Sequence, residues 1–382
     1  MTNSAESARA RRREYLRYLG SAAFGAGLAI VPEMGAGCVF AASTVAAEAN
    51  PPKLSGSVVQ RIRVTRGAAR HRAFPGLLRL ADGTLLVLFR EGTDHWRTDD
   101  SVLKLTRSGD GGKTWTEANT LLKEDGWGFA AHHGPRQLSD GSILTAAMSL
   151  RNSGGGQREF RTYAMRSSDG GGTWQVSRIG PMPGWAWQNQ YGRAMEIDGR
   201  LWLPGGGQRK GENDWRNGYF VSLDNGRTWP EWHTICAGLQ DEKDIVELPD
   251  RRLLAMIRSG TETYRSYSSD RGETWNQGEK LDLFGQCPSL LLLPSGNLLF
   301  AYRQVRPGVP AGIGLAVSGD SGLTWRELEP LYLSPTGSRD CAYPSMILSE
   351  SGEVLCAYYT TFTEGNCHIE LARIEVRESP VG

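Results

Sequence analysis

One acid, one phenol and three guanidinium groups stand at matching places in this sequence, at Glu242, Tyr343, Arg90, Arg258 and Arg303. Each lies about eight residues before or after the turn of a recurring apolar hairpin, which predicts that all five line one rim of a channel between the hairpins. Such side chains are costly at a strand end unless they face a polar cleft. Three guanidiniums on one rim could hold a carboxylate or a sulfate; alternatively, each pairs with a neighbouring Asp or Glu.

The hairpins that position these side chains recur six times, each as an apolar strand, a turn and a second apolar strand. Their turns are Asp82-Gly83, Asp140-Gly141, Asp198-Gly199, Asp250-Arg251, Ser295-Gly296 and Ser351-Gly352. The residues eight places before each turn are Phe74, His132, Gln190, Glu242, Cys287 and Tyr343. The residues eight places after each turn are Arg90, Met148, Gly206, Arg258, Arg303 and Tyr359.

An octapeptide of the form Ser-x-Asp-x-Gly-x-Thr-Trp interleaves with the hairpins and occurs five times. Its copies run from Ser108 to Trp115, Ser167 to Trp174, Ser222 to Trp229, Ser268 to Trp275 and Ser318 to Trp325. A repeat at this spacing is typical of a stacked or radial array, in which a single unit cannot bury its apolar face alone. Six hairpins and five octapeptides predict an all-β, six-bladed β-propeller, closed by a strand near Ser57 to Val64 beside the last blade.

The octapeptides are Asp-boxes, also called BNR repeats, and the chain resembles the sialidase (neuraminidase) superfamily from about Ser57 to its C-terminus. The resemblance implies that the boxes lie on turns at the blade edges, distant from the active-site face. It therefore bears on the fold more than on the function.

Two further segments resemble the catalytic strands of that superfamily. Glu242-Lys243-Asp244-Ile245-Val246-Glu247-Leu248, leading to Arg258, is similar to the strand that carries the family's base, and Ala342-Tyr343-Pro344-Ser345-Met346 is similar to the strand of its nucleophile. The resemblance implies that Tyr343 is the nucleophile and Glu242 its base, because a neutral phenol attacks an anionic sugar without charge repulsion. The alternative is that Tyr343 is only a rim aromatic and that Glu242 and Arg258 merely neutralise each other.

The family's arginine pattern is altered in this chain. Where the family has Arg-Ile-Pro, this sequence has Ala73-Phe74-Pro75, and Arg72 stands one place away, on the other side of a strand. Arg72 is a candidate substrate ligand, and Arg90, Arg258 and Arg303 are the candidate replacement for the family's carboxylate-binding triad.

The resemblance also implies a general acid on the loop from Arg90 to Asp100, where Asp94 and Asp99 are the candidates. Partial burial under a closed loop would raise the pKa of such an acid and suit it to protonate a leaving group. Trp96 could stack on a sugar face, as could Trp185, Trp187 and Tyr191.

A second chemistry is suggested by His132 and His133, which lie at the start of the inner strand of the second hairpin. A rim histidine could be the acid or base of a uronide-cleaving reaction, or each histidine could simply bond to backbone. Arg339 and Asp340, just before Tyr343, are further candidates for lining the cleft.

Composition excludes several other classes. The 43 basic and 42 acidic residues nearly balance, so neither nucleic acid nor a membrane surface is an expected partner. No spacing of Cys and His is typical of a zinc site, so neither a metal nor a cofactor is expected. The expected partner is a glycan or oligosaccharide, and the pattern does not predict an oligomeric state.

The first 49 residues are predicted to be a twin-arginine (Tat) signal peptide, and residues 50–382 to be the propeller. Arg12-Arg13 precedes an apolar run from Leu19 to Val31, and Ala47-Glu48-Ala49 offers a cleavage site. The sequence therefore predicts a periplasmic or secreted protein without a membrane-spanning segment in its mature form. Five cysteines would remain, an odd number that leaves at least one without an intramolecular disulfide.

Three hypotheses follow for the function. The first is an exported exo-glycosidase of sialidase type that removes a terminal acidic sugar through Tyr343 and Glu242. The second is an enzyme of the same fold that acts on a uronic-acid or rhamnose-containing polysaccharide through a rim histidine, by hydrolysis or elimination. The third is a non-catalytic glycan-binding propeller.

Overall fold

The computed structural model describes residues 54–378 except 68–69, 96–98, 132–133, 155–156, 240–241 and 364–365. The signal peptide expected over residues 1–49 lies outside the described residues. Within the described ranges, no helix has the length and apolarity needed to cross a membrane.

The described chain is built from strands, which in chain order are β1 Leu54–Arg63, β2 His71–Arg79, β3 Leu85–Gly92, β4 Val102–Ser108, β5 Asn119–Leu122, β6 Gly128–Ala130, β7 Arg136–Gln137, β8 Ile143–Gly154, β9 Gln157–Ser167, β10 Gln175–Gly180, β11 Trp185–Gln190, β12 Met195–Ile197, β13 Arg200–Arg209, β14 Trp215–Ser222, β15 Glu231–Ala237, β16 Lys243–Glu247, β17 Leu253–Ser259, β18 Glu262–Ser268, β19 Glu279–Lys280, β20 Gly285–Leu292, β21 Leu298–Gln304, β22 Gly312–Ser318, β23 Arg326–Leu333, β24 Ala342–Leu348, β25 Val354–Thr363 and β26 Asn366–Glu378.

These strands form five hydrogen-bonded sheets, and the fold is an all-β propeller. Two sheets have four strands, β16–β19 and β20–β23, and two have five, β6–β10 and β11–β15. The remaining eight-stranded sheet joins both ends of the described chain, in the order β24-β25-β26-β2-β3-β4-β5 with β1 also paired to β26. Its two halves meet at a single parallel bridge between His71 and Cys367, whereas β1 pairs with β26 along nearly its whole length.

The five octapeptides form the same turn between the third and fourth strands of successive hairpin units. In the first copy, the Ser108 hydroxyl accepts from Gly112 N at 2.8 Å, and Asp110 accepts from Thr114 N at 2.9 Å. The Trp115 indole then donates to Gly112 O at 3.0 Å. The hydrogen bonds from the Thr114 side chain and backbone and from Ser108 lower the pKa of Asp110, so the turn favours the carboxylate form.

The innermost strands carry the rim positions and are cross-linked around the channel by hydrogen bonds from backbone to side chain. These bonds are Leu77 N to Ser345 Oγ at 3.0 Å, Met346 N to Ser289 Oγ at 3.2 Å and Leu290 N to Asp244 Oδ2 at 2.8 Å. The last two each connect the inner strands of two neighbouring sheets, whereas the first joins β2 to β24 within the eight-stranded sheet, and all the donors and acceptors are buried. The rim is therefore held by directional bonds as well as by apolar packing.

Three of the predicted rim residues adopt left-handed backbone, although none is glycine: Phe74 with φ 58°, Cys287 with φ 55° and Tyr343 with φ 48°. In each case the register of the inner strand shifts at that point, and a proline follows. A left-handed non-glycine residue costs about 1–3 kcal/mol, so the surrounding sheets must impose it. A bulge of this kind redirects a side chain, and here it brings the three side chains together.

Candidate active site

Tyr343 and Glu242 form the centre of the candidate site. The Tyr343 hydroxyl donates a short hydrogen bond to Glu242 Oε1, across 101 residues of sequence. Arg258 Nη1 donates to both oxygens of the same carboxylate, at 3.0 and 2.8 Å. The Glu242 side chain is 3% exposed and that of Arg258 is 15% exposed, so this is a largely buried ion pair.

Burial raises the pKa of the Tyr343 phenol well above its usual value, and the neighbouring Cys287 and Glu242 act in the same direction. Tyr343 is therefore a neutral phenol in the resting protein. Its hydrogen bond points the proton at a carboxylate that can accept it, which is the arrangement that an activated nucleophile needs.

Three more rim residues surround this pair. Arg303 lies over the face of the Tyr343 ring, with its guanidinium carbon 5.2 Å from the ring centroid. The Phe74 ring packs edge-on against the Tyr343 ring with centroids 4.6 Å apart, and Cys287 Sγ lies 3.8 Å from Glu242 Oε1. The Tyr343 ring is thus fixed on one side by an arginine and on another by an aromatic ring.

Arg303 is itself anchored. Its Nε donates to Gln286 Oε1 at 3.0 Å, and its Nη1 donates to Arg339 O at 3.1 Å. Arg303 and Arg258 therefore flank Tyr343 from two neighbouring sheets, and both guanidiniums are positioned before any ligand arrives.

A second cluster lies beside the first and centres on Asp340. Its Oδ1 accepts from the Tyr359 hydroxyl at 2.9 Å, its Oδ2 accepts from His71 Nε2 at 3.0 Å, and its Oδ1 lies 2.6 Å from His95 Nδ1. Burial would raise the pKa of Asp340, but the hydrogen bonds from His71 and His95 outweigh it and hold the pKa well below its usual range. Asp340 is therefore a carboxylate.

Arg90 sets the tautomer of His71. Arg90 Nη1 lies 3.1 Å from His71 Nδ1, and a guanidinium can only donate, so Nδ1 accepts and Nε2 carries the hydrogen. Arg90 therefore contacts the Asp340 cluster through His71. The three arginines predicted to be equivalent are not: Arg258 and Arg303 lie beside the Tyr343 and Glu242 pair, whereas Arg90 lies beside His71.

His71, Asp340 and Cys367 also form the one group, among the residues that the structure describes, whose ligand atoms could together hold a metal ion. The atoms lie within 4.8 Å of one another. However, a metal-bound imidazole normally donates its other N–H to an acceptor, and here His71 Nδ1 faces a guanidinium. Burial also raises the pKa of the Cys367 thiol to about 12, which opposes a thiolate ligand, so the donor set fits a hydrogen-bond network and not a metal.

The other predicted site residues are distributed as follows. Arg72 donates to Glu91 Oε2 at 2.7 Å, because the two residues are opposed in the β2–β3 register. Asp94 is half-buried and close enough to Arg90 for its charge to act on the guanidinium, whereas Asp99 is exposed. Arg339 is exposed and contributes its backbone carbonyl to Arg303. Trp96, His132 and His133 lie outside the described residues.

The predicted stacking tryptophans lie on the third inner strand. Trp187 packs against Trp215 with ring centroids 4.6 Å apart, and Trp185 packs against Trp232 at 4.9 Å. Tyr191 accepts from Asn189 Nδ2 at 3.0 Å. Both indole rings of this strand are thus packed, tilted or edge-on, against tryptophans of neighbouring strands.

His71 and His95 were not among the predicted site residues. His71 lies eleven residues before the first hairpin turn, outside the eight-residue spacing of the rim positions, and His95 lies inside the loop that carries Asp94 and Asp99. The sequence does contain a pattern that could have predicted the bulges. A triplet of the form x-Pro-small recurs at the same rim position, as Phe74-Pro75-Gly76, Cys287-Pro288-Ser289 and Tyr343-Pro344-Ser345.

The five described cysteines, Cys236, Cys287, Cys341, Cys356 and Cys367, are all buried free thiols. The structure therefore places no disulfide among them, and the site is held by sheets and hydrogen bonds.

Comparison with known proteins identifies the family of the chain. The family of BNR repeat-like domains matches residues 148–356. A sialidase of Clostridium perfringens is 25% identical over 235 residues, which is 51% of this chain and 59% of that protein. The chain thus spans less than two thirds of the length of this curated relative.

Two solved structures show the same fold. A protein of unknown function from Dyadobacter fermentans superimposes with a TM-score of 0.73 and 24% identity, over 85% of this chain and all of that one. An α-L-arabinanase of Penicillium chrysogenum, complexed with arabinobiose, superimposes with a TM-score of 0.63 and 16% identity, over 84% of this chain and 98% of that one. The chain belongs to the BNR repeat-like domain family within the sialidase superfamily of β-propellers.

Proposed function

We propose that this protein is a glycoside hydrolase of sialidase type, which removes a terminal acidic sugar, sialic acid or a related one, from a glycan. The observation that carries the proposal is the hydrogen bond from the Tyr343 hydroxyl to Glu242, whose carboxylate is held in turn by Arg258. A buried phenol that donates to a buried carboxylate is a nucleophile with its base in place.

In the proposed reaction, the Tyr343 oxygen attacks the anomeric carbon while its proton passes to Glu242. The glycosidic bond breaks, the leaving oxygen is protonated by an acid of the site, and the sugar remains bonded to Tyr343. Water then attacks the same carbon from the side that the leaving group vacated, and one of its protons passes to the conjugate base of that acid. The bond to Tyr343 breaks, Glu242 returns the proton to the phenol, and the anomeric configuration is retained.

The acidic sugar is favoured by the charge around the nucleophile. Arg303 lies over the Tyr343 ring and Arg258 lies beside Glu242, so two guanidiniums border the position of the anomeric carbon. A carboxylate on the sugar would lie between two preorganised forks, which is the geometry that makes arginine a good carboxylate ligand.

We also propose that the propeller has six blades. The eight-stranded sheet divides at the single His71 to Cys367 bridge into two antiparallel groups, β2–β5 and β24–β26 with β1. Counting these groups as separate blades beside the other four sheets gives the six that the sequence predicts. A crystal structure with a blade number other than six would refute this count.

We propose further that the protein is exported through the twin-arginine pathway to the periplasm or the medium. The support is the Arg12-Arg13 motif with its apolar run. Fusing residues 1–49 to a reporter and replacing both arginines by lysine should abolish export. A reporter that is exported equally well by the double-lysine variant would refute the assignment.

The experiment that tests the activity measures turnover of aryl glycosides of sialic acid, glucuronic acid and arabinose by the wild type, Tyr343→Phe and Tyr264→Phe. Tyr264 is a matched control because its hydroxyl bonds to Glu262, outside the candidate site, at 3.1 Å. We expect turnover of the sialoside, a loss of kcat on the order of 10³-fold or more in Tyr343→Phe, and near-normal kcat in the control.

Three results would contradict the proposal. Arabinoside turnover without sialoside turnover would remove the acidic sugar, and an unsaturated product from the glucuronide would indicate elimination. Glycan binding without turnover of any substrate would make the protein a binding module.

A further inference from the structure

The loop that follows β3 brings a histidine, not only carboxylates, to the site. His95 Nδ1 lies 2.6 Å from Asp340 Oδ1, and the His95 ring packs edge-on against Phe74 with centroids 5.2 Å apart. Phe74 in turn contacts Tyr343 at 4.6 Å between centroids. His95 is therefore one ring away from the proposed nucleophile, although it comes from the other end of the chain.

The Asp340 cluster determines how the His95 ring is oriented. Asp340 is a carboxylate that only accepts, so Nδ1 of His95 must carry the hydrogen that lies between them. The proton-accepting lone pair of the neutral ring is consequently on Nε2. An imidazole whose Nδ1–H is held by a carboxylate, with Nε2 as the reactive atom, is the arrangement that positions histidine for proton transfer in hydrolases.

Several neutral donors hold the Asp340 carboxylate in place. It accepts from His71 Nε2 at 3.0 Å and from the Tyr359 hydroxyl at 2.9 Å, and Arg90 fixes the tautomer of His71 from behind. Both His71 and Tyr359 have no exposed surface. A chain of buried donors that all converge on one carboxylate is typical of a support that fixes a working side chain within narrow limits.

We propose that His95, oriented by Asp340, is the residue that protonates the leaving group and then deprotonates the attacking water. The inference rests on the proposed glycosidase function, whose reaction needs a general acid, and it assigns that role to His95. In the first step, Nε2–H of the imidazolium gives its proton to the glycosidic oxygen as the bond to the anomeric carbon breaks. In the second step, Nε2 takes a proton from water as the new bond from oxygen to carbon forms, so the imidazolium is regenerated and protons balance over the cycle.

The surroundings predict the pH at which this happens. Burial lowers the pKa of His95 below 6.5, the hydrogen bond that His95 donates to Asp340 offsets part of that effect, and His71 and Arg303 add to the lowering. Asp340, His71 and Arg303 are the ionisable groups that act on the ring from the neighbouring elements, β24 with its preceding loop, β2 and β21. The imidazolium is thus available only on the acid side of neutrality, and activity on poor leaving groups should fall as the pH rises.

The test compares His95→Gln and Asp340→Asn with the wild type on two substrates of the same sugar. One is an aryl glycoside that departs without protonation, and the other is a disaccharide whose alcohol needs a proton. His233→Gln is the matched control, since His233 lies on β15 and pairs with Glu231 at 3.3 Å. We expect His95→Gln to slow single-turnover cleavage of the disaccharide by about 10²–10⁴-fold, to change aryl release by less than about tenfold, and to remove the fall in rate at high pH.

A merely structural role of His95 would slow both substrates equally, and that result would overturn the proposal. It would also be overturned if Asp94→Asn or Asp99→Asn, but not His95→Gln, produced the dependence on the leaving group. In Asp340→Asn we expect the same selective loss with a smaller magnitude, because Asp340 acts through His95.

Nitrogen NMR of the imidazoles keeps this test separate from the proposed function. The resonances of His95, assigned by their loss in His95→Gln, should show a protonated Nδ1 and an unprotonated Nε2 at neutral pH, and an altered tautomer balance in Asp340→Asn. If no glycoside is turned over but this pattern holds, the glycosidase proposal fails and the oriented histidine stands. If Tyr343-dependent turnover is found but His95 carries its proton on Nε2, only the assignment of the acid fails.

Discussion

Removal of the Arg258 guanidinium should destabilise the fold more than removal of its whole ion pair. In Arg258→Met, the buried Glu242 carboxylate loses the guanidinium that donates to both of its oxygens, while the neutral Tyr343 hydroxyl still donates to it. Removing one partner of a buried pair costs about 3–5 kcal/mol, because the other charge is left without compensation. At roughly 2 °C per kcal/mol for a chain of this size, the midpoint of thermal unfolding should fall by about 6–10 °C.

The double variant Glu242→Leu with Arg258→Met also removes the buried Glu242 carboxylate that the single variant leaves without its guanidinium. Its midpoint should lie above that of Arg258→Met alone, since a buried pair replaced by apolar side chains of similar volume is often nearly neutral. The assay is scanning calorimetry at one fixed scan rate, because large chains often unfold irreversibly. If Arg258→Met loses less than about 1 kcal/mol, or if the double variant is the less stable of the two, the carboxylate is not dependent on Arg258 and the argument is refuted.

Two further predictions concern packing and pH. A Cβ at Gly272 would lie 2.2 Å from Trp202 Cη2 at a φ of +90°, so Gly272→Ala should cost about 2–5 kcal/mol from overpacking plus backbone strain. Gly226→Ala, at the equivalent turn position with φ +82° and its nearest atom 3.4 Å away, should cost only the strain; equal losses of unfolding midpoint would contradict the packing term. Burial depresses the pKa of His95 in the folded state, so its contribution to stability is present above 6.5 and is lost as the pH falls through the lowered pKa. The unfolding midpoint of the wild type should therefore drop more steeply below pH 6.5 than that of His95→Gln, and parallel curves would show that His95 is not desolvated.

The periodic features of the sequence were enough to locate most of the site. Because every hairpin descends and returns over a similar length, counting eight residues from each turn brought Glu242, Tyr343, Arg258 and Arg303 to one place, and the structure joins them. The same counting could not distinguish Arg90 from the other two arginines. That difference depends on His71, which the β2–β3 pairing places opposite Gly92, at a position with no counterpart in the counted set.

The non-periodic features depended on contacts that no local pattern contains. His95 and Asp340 are separated by 245 residues, and neither lies in a repeated segment. The left-handed backbone of Cys287 and Tyr343 is likewise imposed by neighbouring strands, since neither residue type prefers that conformation. Local propensity therefore predicts the framework of the rim, and long-range packing decides where its side chains point.

The pairing of β1 with β26 has a consequence for biosynthesis. Leu54–Arg63 can find its partner only after Asn366–Glu378 has left the ribosome, and the His71 to Asp340 and Tyr343 to Glu242 contacts also wait for the last hairpin. Earlier sheets can form during translation, because their strands are neighbours in sequence. The Tyr343 centre therefore cannot assemble until the last hairpin has been synthesised, whereas the sheets between β5 and β24 can form before it.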